Sequence, residues 1–178
     1  MKRYFEFILI FIGLTVVVGV HGQPIPEEWH GVWGGEVEIW SYNNKMDAFP
    51  MSLAILPKDT ICDYIITYKK DPEKPDIRRY QLITIDQSKQ HLAVDEQNSI
   101  VLDCYLNDNC LYTRFAGMGS DLQMRACLVG EEMEYEIISS FAAPIRKSGN
   151  EVVETDTIPE IKSFDVYHIM KARLVREK

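Results

Sequence analysis

The 178 residues are 46% hydrophobic and 26% charged, with 27 acidic against 19 basic side chains and a formal net charge of −8. That balance suits one globular domain with an ordinary core. It argues against a nucleic-acid partner, because an acidic surface repels a phosphate backbone, and it offers no attraction to anionic lipid.

At the front of the chain, Lys2 and Arg3 precede an apolar run, ILIFIGLTVVVGV, over residues 8–20. Val20 and Gly22 are small enough to flank a signal-peptidase cut. The run is shorter than the roughly 18 to 20 residues that span a bilayer. Residues 1–22 therefore read as a signal peptide cleaved near Gly22. This predicts a secreted protein, extracellular or periplasmic, with no membrane span in its mature part. No cysteine follows the run to mark a bacterial lipoprotein.

Residues 23–178 read as one β-barrel domain, because segment after segment alternates with a period of two between turn residues. Candidate strands are 32–41, 52–56, 61–69, 77–85, 91–95, 99–106, 110–116, 122–129, 132–141 and 163–175. Helix is expected only in a short piece near residues 24–30, and the link 142–162, with Pro144, Gly149 and Pro159, gives no assignment. The fold class predicted is all-β, an antiparallel up-and-down meander barrel of about 8 to 10 strands.

Alternation also assigns faces, since successive side chains of a strand point to opposite sides. In the first strand Trp33, Gly35, Val37 and Ile39 share the dry face, and Glu36 and Glu38 the wet one. Leu122, Met124, Ala126 and Leu128 point inward, as do Met133, Tyr135 and Ile137. In the last strand Phe164, Val166, His168, Met170, Ala172 and Leu174 share the apolar side, with Lys171 and Arg173 opposite. One of Arg78 and Arg79 must face inward. It would either snorkel to the barrel rim or anchor an anionic group of a ligand, since an unpaired buried charge is costly.

Three hairpin registers agree with these faces. The loop GMGS, residues 117–120, pairs Ala116 with Asp121 and Phe115 with Leu122. A Gly130-Glu131 turn pairs Leu128 with Met133, and an Asn107-Asp108 turn sets Cys104 opposite Leu111. The first register also places Cys110 opposite Cys127 on the outer face. Directly opposed cysteines lie within bridging distance, so a Cys110–Cys127 disulfide is expected, accessible to mild reductant. Cys62–Cys104 follows only by remainder, and Cys104–Cys110 is the rival connectivity. No Cys-x-x-Cys or close Cys/His pair suggests zinc, so no metal ligand is assigned.

The Gly31-Val32-Trp33 opening and the run of hairpins resemble the lipocalin and wider calycin superfamily of up-and-down barrels that bind small, mostly hydrophobic molecules. That resemblance implies that Trp33 closes the barrel floor under a basic residue of the final strand, Arg173 or Lys171. The stretches DIRRYQL, VDEQNSIVLD and ARLVR look like those of a group of uncharacterised exported calycin-like proteins. Gly31-x-Trp33-x-Gly35 is also similar to the opening of nitrobindin-type haem barrels, which implies haem as a candidate cofactor with His168 as its axial ligand. Val37 stands where that pattern has glycine.

Catalytic constellations are not visible, so an enzyme is not expected. Residues 117–120 precede no helix, as a nucleophile elbow would. Asp95 and Glu96 sit in a turn, and His30, His91 and His168 lie on different elements. The leading functional reading is a monomeric binding module for a small hydrophobic or amphipathic ligand. Its inner wall would use Trp33, Val37, Ile39, Tyr64, Tyr68, Tyr80, Leu102, Phe115, Met124, Tyr135 and Phe164, with His168 beside them. Tyrosines among aliphatic side chains suit a mostly apolar pocket with a few directional polar groups. Its rival is a structural or interaction protein whose barrel is filled by its own side chains.

Overall fold

Each strand carries backbone N–H and C=O groups along both edges that need partners, and closing the sheet on itself satisfies them all. A computed structural model, which describes residues 22–178, shows that outcome. The chain runs β1 (Gly31–Ser41), β2 (Asn44–Lys58), β3 (Ile61–Tyr68), β4 (Asp76–Asp86), β5 (His91–Asp95), β6 (Val101–Asn107), β7 (Cys110–Gly117) and β8 (Ser120–Val129). It continues through β9 (Glu132–Ser148), β10 (Glu151–Val153), β11 (Asp156–Ile158) and β12 (Ile161–Arg176). Among the described residues, ten of these strands form a closed antiparallel barrel in the order β1-β12-β9-β8-β7-β6-β5-β4-β3-β2, and β10 pairs only with β11. The expected leader, apart from Gly22, lies outside the described residues. Among those residues no helix is long and apolar enough to cross a membrane.

Trp33 closes one end. It is 1% exposed, its indole Nε1 donates to the Trp29 carbonyl at 2.9 Å, and the Arg176 guanidinium lies over its ring at 4.4 Å. Arg176 also donates to the carbonyls of His30 and Glu28, which ties the 3-10 turn Glu27–Trp29 across the barrel floor. The basic partner is therefore Arg176, and not Arg173 or Lys171. Arg176 pairs directly with Trp33 in the ladder and shares the inward parity of Leu174 and Ala172. Lys171 and Arg173 point outward, the first over the Trp40 ring at 4.9 Å and the second 3.3 Å from Glu132. Gly35 makes the close approach of β1 to β12 possible, because a Cβ there would sit 2.4 Å from the Arg173 carbonyl oxygen.

The GMGS and Gly130-Glu131 registers stand: Ala116 opposes Asp121, Phe115 opposes Leu122, and Leu128 opposes Met133. The third differs. Cys104 opposes Thr113, because the chain reverses at Asp108-Asn109 with Asp108 in the left-handed region that Asp tolerates. A shift of two positions leaves every face unchanged. Cys110 and Cys127 are disulfide-bonded. Cys62 and Cys104 are both free and buried, so the second expected bridge is not formed. Cys127 is only 3% exposed. Cys110 is partly exposed, so the outer-face bond is sheltered on the β8 side only.

The unassigned link is strand for most of its length. β9 and β12 run on past the barrel as a two-stranded arm, with Ser148 opposite Ile161, and β10–β11 form its tip. Register shifts at Phe164 and Val166 mark where the arm leaves the barrel. Phe164 is 44% exposed, and His168 is also exposed. Phe164, opposite Pro144, belongs to the arm's root, and His168, opposite Ser139 where β9 is still paired with β8, stands exposed at the barrel rim.

Candidate functional site

Most inward side chains near the floor are sealed, and several toward the other end are not. Near the floor, Leu53, Ile55, Cys62, Leu82, Leu111, Met133 and Leu174 are all 0% exposed. Toward the opposite end, where the arm springs, Ile39, Tyr80, Leu102, Met124, Ile137 and Met170 are only partly buried while still packed on the core, and Phe115 is half-buried. The mouth of the barrel is the candidate site. It is apolar in its walls, and tyrosines supply its polar atoms.

Tyr68 and Tyr135 bring their hydroxyls within 3.4 Å of each other, and the Tyr135 hydroxyl donates to Met124 Sδ at 3.5 Å. Tyr64, cross-strand from Tyr80, is 1% exposed, and its hydroxyl has no hydrogen-bond partner among the described residues. Burial pushes the Tyr64 and Tyr135 phenols well above the ordinary value, and those of Tyr68 and Tyr80 upward as well. All four remain neutral donors and acceptors across the physiological range.

Arg78 settles the question of the two arginines. It pairs with inward-facing Ile66 and is the arginine that faces the barrel. It reaches the rim with its guanidinium over the Tyr68 ring at 5.1 Å, bonded to Asp76 at 3.0 Å. A cation is thus held at the rim by an aromatic face and one carboxylate.

Of the twelve residues predicted to line the interior, Trp33 is the floor, and Val37, Tyr64, Tyr68 and Tyr135 are buried. Ile39, Tyr80, Leu102, Phe115 and Met124 are half-buried along the wall, and Phe164 and His168 lie outside it. The haem implied by the nitrobindin resemblance does not fit. His168 is exposed with its ring tilted against Tyr167 at 4.9 Å, and its inward neighbours on β12 and β9 include bulky Met170 and Ile137. That is no narrow slot for a flat macrocycle. Phe49 and Met51 also line the interior. They escape the sequence pattern because Pro50 interrupts a run that otherwise alternates through Phe49, Met51, Leu53 and Ile55.

The two free thiols lie deeper. Cys62 donates to Gln23 Oε1 at 3.3 Å with His30 Nε2 at 3.9 Å. Burial, reinforced by Asp63, pushes its thiol up to about 11. Burial pushes Cys104 up to about 12. An unfolded cysteine ionises near 8.5, so the unfolded chain releases these protons first as pH rises. The stability the thiols supply is complete below about pH 8 and is lost progressively as pH rises toward about 11 and about 12. Urea midpoints measured across that window should fall more steeply for the natural chain than for a Cys62→Ala/Cys104→Ala variant. At pH 8 neither thiol should react with Ellman's reagent until the chain unfolds.

No protein-family model matches the chain, and no curated protein matches it. Among solved structures, the chain is similar to that of Rv2717c from M. tuberculosis, at 14% identity over 85% of this chain and 94% of that one, with a TM-score of 0.35. A likeness at that score carries no argument about function.

Proposed function

We propose that the chain is a secreted, monomeric, calycin-like barrel that takes a small amphipathic molecule into its mouth, binding it rather than transforming it. The observation that carries this reading is the Tyr64 hydroxyl, sealed at the foot of the half-buried wall without a partner. A buried hydroxyl left unpaired costs about 1 to 3 kcal/mol, and a ligand's polar atom reaching that depth removes the cost. The apolar body of such a molecule would lie along Ile39, Leu102, Met124 and Ile137, with an anionic or hydroxylated end beside Arg78 and Tyr80.

The filled lower half of the barrel favours a second reading, an interaction protein with no ligand, since small barrels are commonly packed by their own side chains. Native mass spectrometry of the secreted protein, with a titration of the anionic dye anilinonaphthalene sulfonate, separates the two. Uptake predicts a co-purified mass or saturable one-to-one dye binding, which Arg78→Ala weakens about tenfold, the equivalent of 1.4 kcal/mol. A bare mass together with no dye fluorescence supports the filled barrel and ends the ligand reading. Light scattering of the same sample reads the monomer directly.

A further inference from the structure

The outer surface of β6, β7 and β8 is built unlike the rest of the barrel. Tyr105 and Tyr112 stand directly opposite each other on neighbouring strands and point away from the core, 48% and 44% exposed. His91, next along the same ladder row, stacks flat on Tyr105 with centroids 4.6 Å apart and planes within 10°. Its Nε2 lies 2.7 Å from Asp103 Oδ1. The stack and the bond together fix the Tyr105 ring. One step toward the floor, the Cys110–Cys127 disulfide joins β7 to β8. A platform held in this way loses little side-chain freedom when something binds.

One step toward the mouth the row is polar. Asp103, Arg114 and Gln123 border a cleft of about 360 Å³ that also takes in Arg125, Glu136 and Ile138, a size within the range of small-molecule sites. Its two arginines come already matched. Arg114 holds Asp121 through two bonds, at 3.2 and 3.1 Å, and Arg125 holds Glu136 at 3.1 Å. A phosphate or carboxylate gains little from a guanidinium so neutralised, and Asp103 already accepts from His91 Nε2 at 2.7 Å. What the cleft offers is two exposed tyrosine rings, Tyr105 with one face covered by His91, beside an alternating set of donors and acceptors.

That combination matches a sugar ring, whose C–H face is apolar and whose rim of hydroxyls both donates and accepts. We propose that the outer face of β6–β8 binds a neutral oligosaccharide, one ring stacked across Tyr105 and Tyr112 and its hydroxyls bonded to Asp103, Gln123 and the Arg125–Glu136 pair. Opposed positions on neighbouring strands lie about 5 Å apart, so the two tyrosines provide a strip for one or two rings. A proline-rich segment also docks in aromatic grooves. Proline has no N–H to give, so such a segment adds no donor for the lone pairs that the Asp103 and Glu136 carboxylates still have free.

Calorimetric titration of residues 23–178 with cellohexaose, chitohexaose, mannohexaose and maltohexaose tests the proposal, with decaproline as the competing ligand. At least one hexaose should bind in the micromolar to millimolar range. Tyr105→Ala and Tyr112→Ala should each weaken it about tenfold or more, and Tyr112→Trp should retain it. Both alanine variants should keep the natural melting temperature within a few degrees, as surface changes do. Arg78→Ala should leave sugar binding unchanged, so failure at the mouth and failure on this face are told apart. No binding of any hexaose at about 10 mM, binding indifferent to both tyrosines, or tyrosine-dependent binding of decaproline alone would each overturn it.

Discussion

Trp33→Ala is expected to remove about 3 to 5 kcal/mol of stability, the loss typical of deleting a large buried aromatic. The side chain is 1% exposed, and three separate elements rest on it. Its indole satisfies the Trp29 carbonyl, its ring supports the Arg176 cation, and it fills the floor between β1 and the 3-10 turn. Truncation leaves a cavity, a buried carbonyl without its donor and a guanidinium without its aromatic face. In a chain of this size each kcal/mol shifts the melting temperature by about 2 to 4 °C, so a fall of roughly 6 to 20 °C should appear. Urea denaturation measures the loss directly. Trp33→Phe keeps a ring under Arg176 and should recover most of it. A loss under about 1 kcal/mol for the alanine variant would mean that the floor does not depend on this residue.

Replacing both Cys110 and Cys127 by alanine is expected to cost about 3 kcal/mol, because the bond restricts the unfolded chain over a short loop whose ends are 17 residues apart. The folded barrel should change little, since the two cysteines are already partners in the β7–β8 ladder. The cost should therefore appear mainly as a lower urea midpoint with an unaltered circular dichroism spectrum. Cys127 is 3% exposed and Cys110 partly exposed, so dithiothreitol should reduce the bond in the native protein by way of Cys110, and faster in urea, as access governs exchange. Non-reducing peptide mapping should return one bridged peptide, Cys110–Cys127, with Cys62 and Cys104 as free thiols. A bridged Cys62–Cys104 peptide would contradict the structure.

Much of the barrel is legible in the sequence because a period of two is a local signal, and each short hairpin turn converts it into a register. The Cys110–Cys127 bond follows from counting outward from Met118-Gly119. Parity also points to the right partner for Trp33: Lys171 and Arg173 face outward, and the alternation that makes Leu174 inward makes Arg176 inward too. Other features lie beyond what alternation encodes. It says which face a side chain takes but not where the barrel ends, so Phe164 and His168 keep the pattern of the wall while standing outside it. Arg78 and Arg79 are told apart only by the pairing of Ile66 with Arg78. The unpaired Tyr64 hydroxyl has no sequence signature, because it depends on what the surrounding side chains leave unfilled. Cys62 and Cys104 both face inward as expected, yet a shared face does not bring residues of β3 and β6 within bonding distance.

The pairing of β1 with β12 joins the first strand of the barrel to the last. Every other barrel contact is between strands that follow each other, apart from β9 and β12, which only the small β10–β11 tip separates. Such hairpins can form as soon as their own residues are available, whereas the seam has the greatest loop-closure entropy to overcome. Until Ile169 to Arg176 are available to pair with Trp33 to Trp40, β1 has no partner along one edge. Unpaired edges recruit other chains. Export of the polypeptide in an unfolded state, or a chaperone occupying that first strand, would shield it during the interval before the ends meet.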